Sequence, residues 1–157
     1  MSSPIIRRVA APDVDAVVAL VREVLAEFDL RFGEGAKTDE EVTRLPDSYD
    51  RGGGAFWVAV DEATGAIVGT CGVFPVEPRI YELRKMYLAK SARGLGLGQR
   101  LLDEAVRWTR EQGGARMVLD TIHEMTRAIA FYEANGFVRD DTQIRGARCS
   151  RGYAREL

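Results

Sequence analysis

The run Arg93-Gly94-Leu95-Gly96-Leu97-Gly98 can do chemistry through its main chain alone. It lies between a β-rich segment and a helical one, where the unpaired N–H groups of a helix start and the helix dipole favour an anion. Glycines let phosphate oxygens approach that backbone closely. A nucleotide P-loop ends in Gly-Lys-Ser/Thr, whereas Gly98 is followed by Gln99 and Arg100. A dinucleotide fingerprint needs a third glycine, and Gln99 or Leu101 occupies that place in the two possible registers. The loop alone therefore specifies a phosphate-like anion. Cys71 and Cys149 lack the CxxC or clustered histidines of a zinc site, so no metal is expected. Neither has an assignable activating neighbour for thiolate catalysis, and His123, the only histidine, gains no role from its position.

The elements that must position this loop follow from the apolar pattern. Ile5 to Val9 reads as a short strand that runs into Pro12 and Asp13, residues suited to a first helical turn. Val14, Val17, Val21, Val24 and Phe28 then recur at helical spacing. Thr38 and Glu41 have capping-box spacing and predict a second, polar helix toward Tyr49, ended by Gly52, Gly53 and Gly54. AFWVAV (55–60) and AIVGTCGVF (66–74) read as an antiparallel pair joined by a short loop. Arg79 to Leu88 alternates only in part, which predicts a strand with an irregularity. An amphipathic helix from Leu97 to Thr109 stops at Gly113-Gly114, so the glycine loop sits at its N-terminus. ARMVLDT (115–121) is strand-like. Met125, Ala128, Ile129 and Tyr132 share a helical face that ends at Asn135-Gly136, a left-handed cap. Phe137-Val138 and Arg148 to Tyr153 supply two last strands. This order predicts one α+β domain over residues 1–157.

A chain of 157 residues with 46% hydrophobic and 29% charged residues can build the core of one such domain. Its formal net charge of −2 lacks the positive field of a nucleic-acid binder. No apolar stretch reaches membrane-spanning length, and the start MSSPIIRRVAAPDVD has no signal-peptide core. No nucleic-acid or membrane partner is expected, and two unclustered cysteines point to a reducing cytoplasm.

Three blocks in order resemble the GCN5-related N-acetyltransferases (GNAT), in an uncharacterised bacterial branch. Arg93-x-x-Gly96-x-Gly98 matches the family's pyrophosphate loop, Arg/Gln-x-x-Gly-x-Gly/Ala. Glu-Leu-Arg-Lys-Met-Tyr-Leu (82–88) is similar to the strand ahead of it, and Ala-Phe-Tyr-Glu-Ala-Asn-Gly-Phe (130–137) to a later helix ending. The resemblance implies a single mixed, mostly antiparallel sheet of six to seven strands, with the fourth and fifth splayed, flanked by about four helices. It implies acetyl-CoA as acyl donor co-substrate, its pantetheine arm on main-chain groups of Met86 and Leu88 and its pyrophosphate on the amides of Gly94, Leu95, Gly96, Leu97, Gly98 and Gln99, with Arg93 adding charge. The family's asparagine near the start of that later helix is replaced here by Met125.

The implied reaction sets chemical demands. An alkyl amine with a pKa of about 10.4 is neutral in roughly one part in a few thousand at pH 7, so a base or desolvation is needed. A thiolate with a pKa of about 8.5 must depart, which an acid assists. The resemblance assigns the acid to Tyr132 and the base to Glu82, with Asp120 a second choice. Phe131, about 100° from Tyr132 around the helix, is expected to serve packing. Asp29, Arg31 and Glu34, between the first two helices, are candidate acceptor-specificity residues. The acceptor is an amine of a small molecule or protein, attacked directly in a ternary complex. Alternatives are a non-catalytic acyl-CoA sensor or transfer of a longer acyl group, and a homodimer through sheet edges is compatible with the pattern.

Overall fold

The structure, a computed structural model, describes residues 3–34 and 36–157. Met1, Ser2 and Gly35, the last in the expected interhelical loop, lie outside the described residues. Strand β1 (Ile5–Arg8) leads to helix α1 (Val14–Ala26), and two short helices follow, α2 (Lys37–Val42) and α3 (Asp47–Asp50). Then come β2 (Ala55–Val60), β3 (Ile67–Glu77), β4 (Ile80–Leu88), α4 (Leu97–Glu111), β5 (Arg116–Thr121), α5 (Thr126–Ala134), β6 (Val138–Arg139) and β7 (Arg151–Glu156). They form one seven-stranded sheet in the order β1-β2-β3-β4-β5-β7-β6.

Strand β2 is apolar throughout because both faces of the sheet are covered. Ala55, Trp57 and Ala59 enter the core under α4 and α5, while Phe56 and Val58 enter the core under α1 to α3. Each such large side chain contributes about 1.5–3 kcal/mol by leaving water. A one-residue slip would exchange the two sets, so the register is strongly fixed.

The predicted polar helix is two helices. Pro46 has no N–H to continue a helical ladder, and the chain leaves α2 at Thr43. Thr38 lies inside α2, whose N-cap is Ala36, and the expected capping partner Glu41 instead accepts from Arg84 Nη1 at 3.1 Å. The last strand begins at Arg151 rather than Arg148, whose side chain turns back to Asp39. The cap at Asn135-Gly136 forms as expected. Gly136 has φ +86°, and Phe137 N–H bonds the Tyr132 carbonyl at 3.1 Å.

The parallel pair β4 and β5 is joined only over Ile80↔Arg116, Tyr81↔Met117 and Glu82↔Val118. Beyond Glu82 the strands part, β4 continuing on β3 and β5 on β7. The cause lies in the irregularity anticipated within β4. Thr70 pairs with Tyr87 and Gly72 with Arg84, so Lys85 and Met86 oppose Cys71 alone. Lys85 takes φ +52°, and its carbonyl accepts from Thr70 Oγ1 at 2.7 Å. Such a bulge bends its strand, here away from β5.

Candidate active site

One end of the opening is the glycine loop. Gly94 and Gly96 have φ +78° and +81°, the left-handed region that a side chain strains. Arg93 N–H bonds the Lys90 carbonyl, and the next main-chain bond is Arg100 N–H to the Gly96 carbonyl. Among the described residues no main-chain carbonyl accepts from the N–H groups of Gly94 to Gln99, and no side chain caps α4. A carbon added to Gly98 would approach Leu88 and Phe131 at 3.6–3.9 Å, so the loop backbone looks into the opening. Leu97 packs in the core and Leu95 stands exposed, so any role in anion binding falls to their amides. The Gln99 amide donates to Asp103 at 2.9 Å and Asn135 at 2.8 Å, joining α4 to the end of α5.

Arg93 does not offer a free charge to the loop. Its guanidinium holds the Glu27 carboxylate at 2.7 and 2.8 Å and the Leu88 carbonyl at 3.0 and 3.2 Å. The arginine hydrogen bond holds Glu27 below the usual carboxylate range. Arg93 thus ties α1, the end of β4 and the loop together, and the Leu88 carbonyl is already engaged.

From the loop a cavity of about 1260 Å³ runs between β4 and β5. Met86, Leu88, Glu82 and Tyr132 line it. Phe131 was expected only to pack, yet it lines the cavity too, because α5 presents an edge rather than one face to the opening. The Tyr132 ring packs between Phe131 and Phe137, each with centroids 5.7 Å away. Burial pushes its phenol well above the ordinary value, so it is protonated at neutral pH.

Glu82 is 3% exposed. Its Oε1 accepts from Arg84 Nε at 2.6 Å, while Oε2 is buried with no hydrogen-bond partner among the described residues. Burial pushes this carboxyl up, with Arg84 opposing. A buried acceptor without a donor costs about 1–3 kcal/mol, a sign of a group kept for chemistry. Asp120 is committed elsewhere. Its Oδ2 accepts the N–H groups of Arg145 and Gly146, both at 2.7 Å, fixing the turn that follows.

Three residues that the sequence did not single out build the far wall. Asp39 is fully buried and takes Lys85 Nζ, two guanidinium nitrogens of Arg148 at 3.0 and 3.1 Å, and Gly33 N–H at 2.8 Å. Burial pushes the Asp39 carboxyl up, but these bonds outweigh it and hold it below its ordinary value. Lys85 is pulled down by burial against the pull of Asp39. The partners lie 46 and 109 residues from Asp39, so no local spacing announced them.

None of Asp29, Arg31 and Glu34 lines the cavity. Arg31 and Glu34 are 83% and 71% exposed and face each other at 3.9 Å. The loop turns Phe28 and Leu30 inward and leaves its charges in water, where they need no partner. Only the Glu34 carbonyl contributes, accepting from Arg148 at 3.0 Å. His123 is exposed beside Ser150 and Glu124. Both cysteines are free thiols, Cys71 in the core and Cys149 at the cavity wall, where burial pushes its thiol up to about 12. Among the described residues no helix is long and apolar enough to cross a membrane.

Comparison with known proteins shows which family carries this sequence and fold. Residues 21–137 match the model of the acetyltransferase (GNAT) family. The chain is 36% identical over 143 residues to the uncharacterized N-acetyltransferase YjgM of Escherichia coli, covering 88% of this chain and 84% of that protein. It is 34% identical over 128 residues to an uncharacterized N-acetyltransferase of Schizosaccharomyces pombe, covering 80% and 76%. Among solved structures, a GNAT-family acetyltransferase from Staphylococcus aureus superposes over 99% of both chains with a TM-score of 0.89 at 24% identity. A phosphinothricin acetyltransferase from Sinorhizobium meliloti, solved with AcCoA, gives 0.77 at 22% identity over 99% of this chain and 89% of that one. The chain belongs to the GNAT family and is an acyl-CoA-dependent N-acetyltransferase.

Proposed function

We propose that the protein moves an acetyl group from acetyl-CoA to a primary amine by direct attack in a ternary complex. The observation that carries this reading is the buried, unpartnered Glu82 Oε2 on the wall of the cavity that Tyr132 also lines. The residues present suit a pyrophosphate-bearing donor, since the free N–H groups of Gly94 to Gln99 form an anion cradle at the helix start. Two similar folds were solved with such molecules, the S. meliloti enzyme with AcCoA and a Thermoplasma acidophilum N-acetyltransferase with coenzyme A.

The bound donor supplies a thioester carbonyl open to attack. Glu82 Oε2 takes the proton that makes the amine nucleophilic, helped by the burial that raises its basicity. Tyr132 holds the proton that the departing sulfur requires. Most of the acceleration comes from placing amine and thioester together, with acid and base adding about 10²–10⁴-fold. Direct transfer is favoured because neither thiol is activated: burial pushes both upward, Cys149 to about 12.

The test is CoA release from a matrix of acetyl-, propionyl- and succinyl-CoA against a panel of amines. Acetyl-CoA is expected to support transfer best. Faster transfer from succinyl-CoA would move the reading to longer acyl groups. A thermal shift with acetyl-CoA and no transfer to any amine would make the protein an acyl-CoA sensor.

A further inference from the structure

On the cavity wall Arg145 and Glu82 form a loose ion pair with no hydrogen bond between them. Arg145 Nη1 lies 3.7 Å from Glu82 Oε2 and Nη2 lies 3.6 Å from Glu77 Oε2, both beyond hydrogen-bond distance. Nη1 is anchored on the carbonyl and side-chain oxygen of Gln143 at 3.2 and 3.1 Å, while Nη2 and Nε find no hydrogen-bond acceptor among the described residues. The turn carrying this side chain is fixed by Asp120, which takes the N–H groups of Arg145 and Gly146. A guanidinium hydrogen-bonded through one nitrogen and only loosely paired with Glu77 and Glu82, one-third exposed at a cavity wall, matches a carboxylate fork. The carboxylate oxygen beside it lacks a donor. Open donors and an open acceptor thus sit next to each other.

From this geometry we infer that the acceptor is a small α-amino acid, its carboxylate held by Arg145 and its amine presented to Glu82 Oε2. Such a molecule carries its two charged groups on one carbon, the complement of this adjacent pair. The surrounding charge agrees. Lys85 and Arg148 are taken up by Asp39, and Arg84 by Glu41 and Glu82, which leaves Arg145 as the cation beside Glu82 with donors to spare. A polyamine would bring no carboxylate to Arg145, and a peptide N-terminus would bring an amide where the carboxylate belongs. The inference rests on the amine-acetylating role proposed above for Glu82.

Steady-state CoA release by the purified protein with acetyl-CoA tests this. The acceptors are the standard α-amino acids, their amides and the corresponding decarboxylated amines. At least one free amino acid is expected to exceed its own amide and amine in kcat/KM by about 10- to 100-fold, the range of a charge-assisted hydrogen bond. Arg145→Ala is expected to collapse that ratio through a raised KM for the amino acid, and Arg145→Lys to restore part of it, with circular dichroism reporting a folded chain in both. Amides or amines used as well as the free amino acids would overturn the inference while leaving amine acetylation intact. An unchanged ratio in Arg145→Ala would overturn it equally. Absence of transfer to every acceptor would sink both the inference and the reading beneath it.

Discussion

Arg93 and Glu27 are joined by two parallel hydrogen bonds of 2.8 and 2.7 Å, so the arginine that opens the glycine loop spends its charge on α1. Its place in the loop is structural, a strap across α1, the end of β4 and the turn before α4. Arg93→Ala and Glu27→Ala are therefore expected to raise the KM for acetyl-CoA by similar factors, about two- to tenfold, and the double variant no further. If Arg93 instead met the donor's phosphates by charge, Glu27→Ala would lower that KM.

Burial raises the Glu82 carboxyl, and the proposed base works only when ionised. The rate must then rise with pH through its pKa, which lies above the ordinary value of about 4.3. The kcat/KM profile is expected to show this acidic limb, and Glu82→Gln to lose it together with roughly 10²–10⁴-fold of activity. A limb that persists in the glutamine variant would pass the role to another group.

Tyr132→Phe removes a phenol whose shift owes nothing to a hydrogen bond, so the ring packing with Phe131 and Phe137 is retained. The expected result is a fall in kcat of about 10²-fold or more with little change in melting temperature. Phe131→Leu provides the contrast, since Phe131 offers no proton. A comparable loss in that variant would assign both residues to cavity shape.

Asp39→Asn leaves the buried Lys85 and the half-buried Arg148 without their carboxylate. A broken buried ion pair costs about 3–5 kcal/mol, measurable by urea unfolding at pH 7. Because the folded environment lowers the Asp39 pKa, its contribution is complete above the unfolded value of about 3.9 and fades as pH falls through the folded one. The gap between native protein and variant should therefore narrow below about pH 4. A gap independent of pH would mean that the carboxylate charge is not what holds this wall.

Local pattern carried the features that depend on neighbours in sequence. Most strands and helices, the glycine loop at the start of α4, the cap at Gly136 and the irregularity in β4 follow from period, turn chemistry and capping within a few residues, whereas the split of the polar helix at Pro46 and the start of β7 at Arg151 do not. The residues of the resemblance, Glu82 and Tyr132, also fall on one cavity. What the sequence could not determine is which charges meet. Asp39 reads as one acid in the stretch Thr38-Asp39-Glu40-Glu41, yet it alone is buried, because the β4 bulge turns Lys85 to it and the segment before β7 brings Arg148 across. Likewise Glu41 reads as a helix cap until Arg84 stands beside it. Burial and ion pairing are long-range properties, set by which segments the sheet brings together, so they appeared only when the chain was folded.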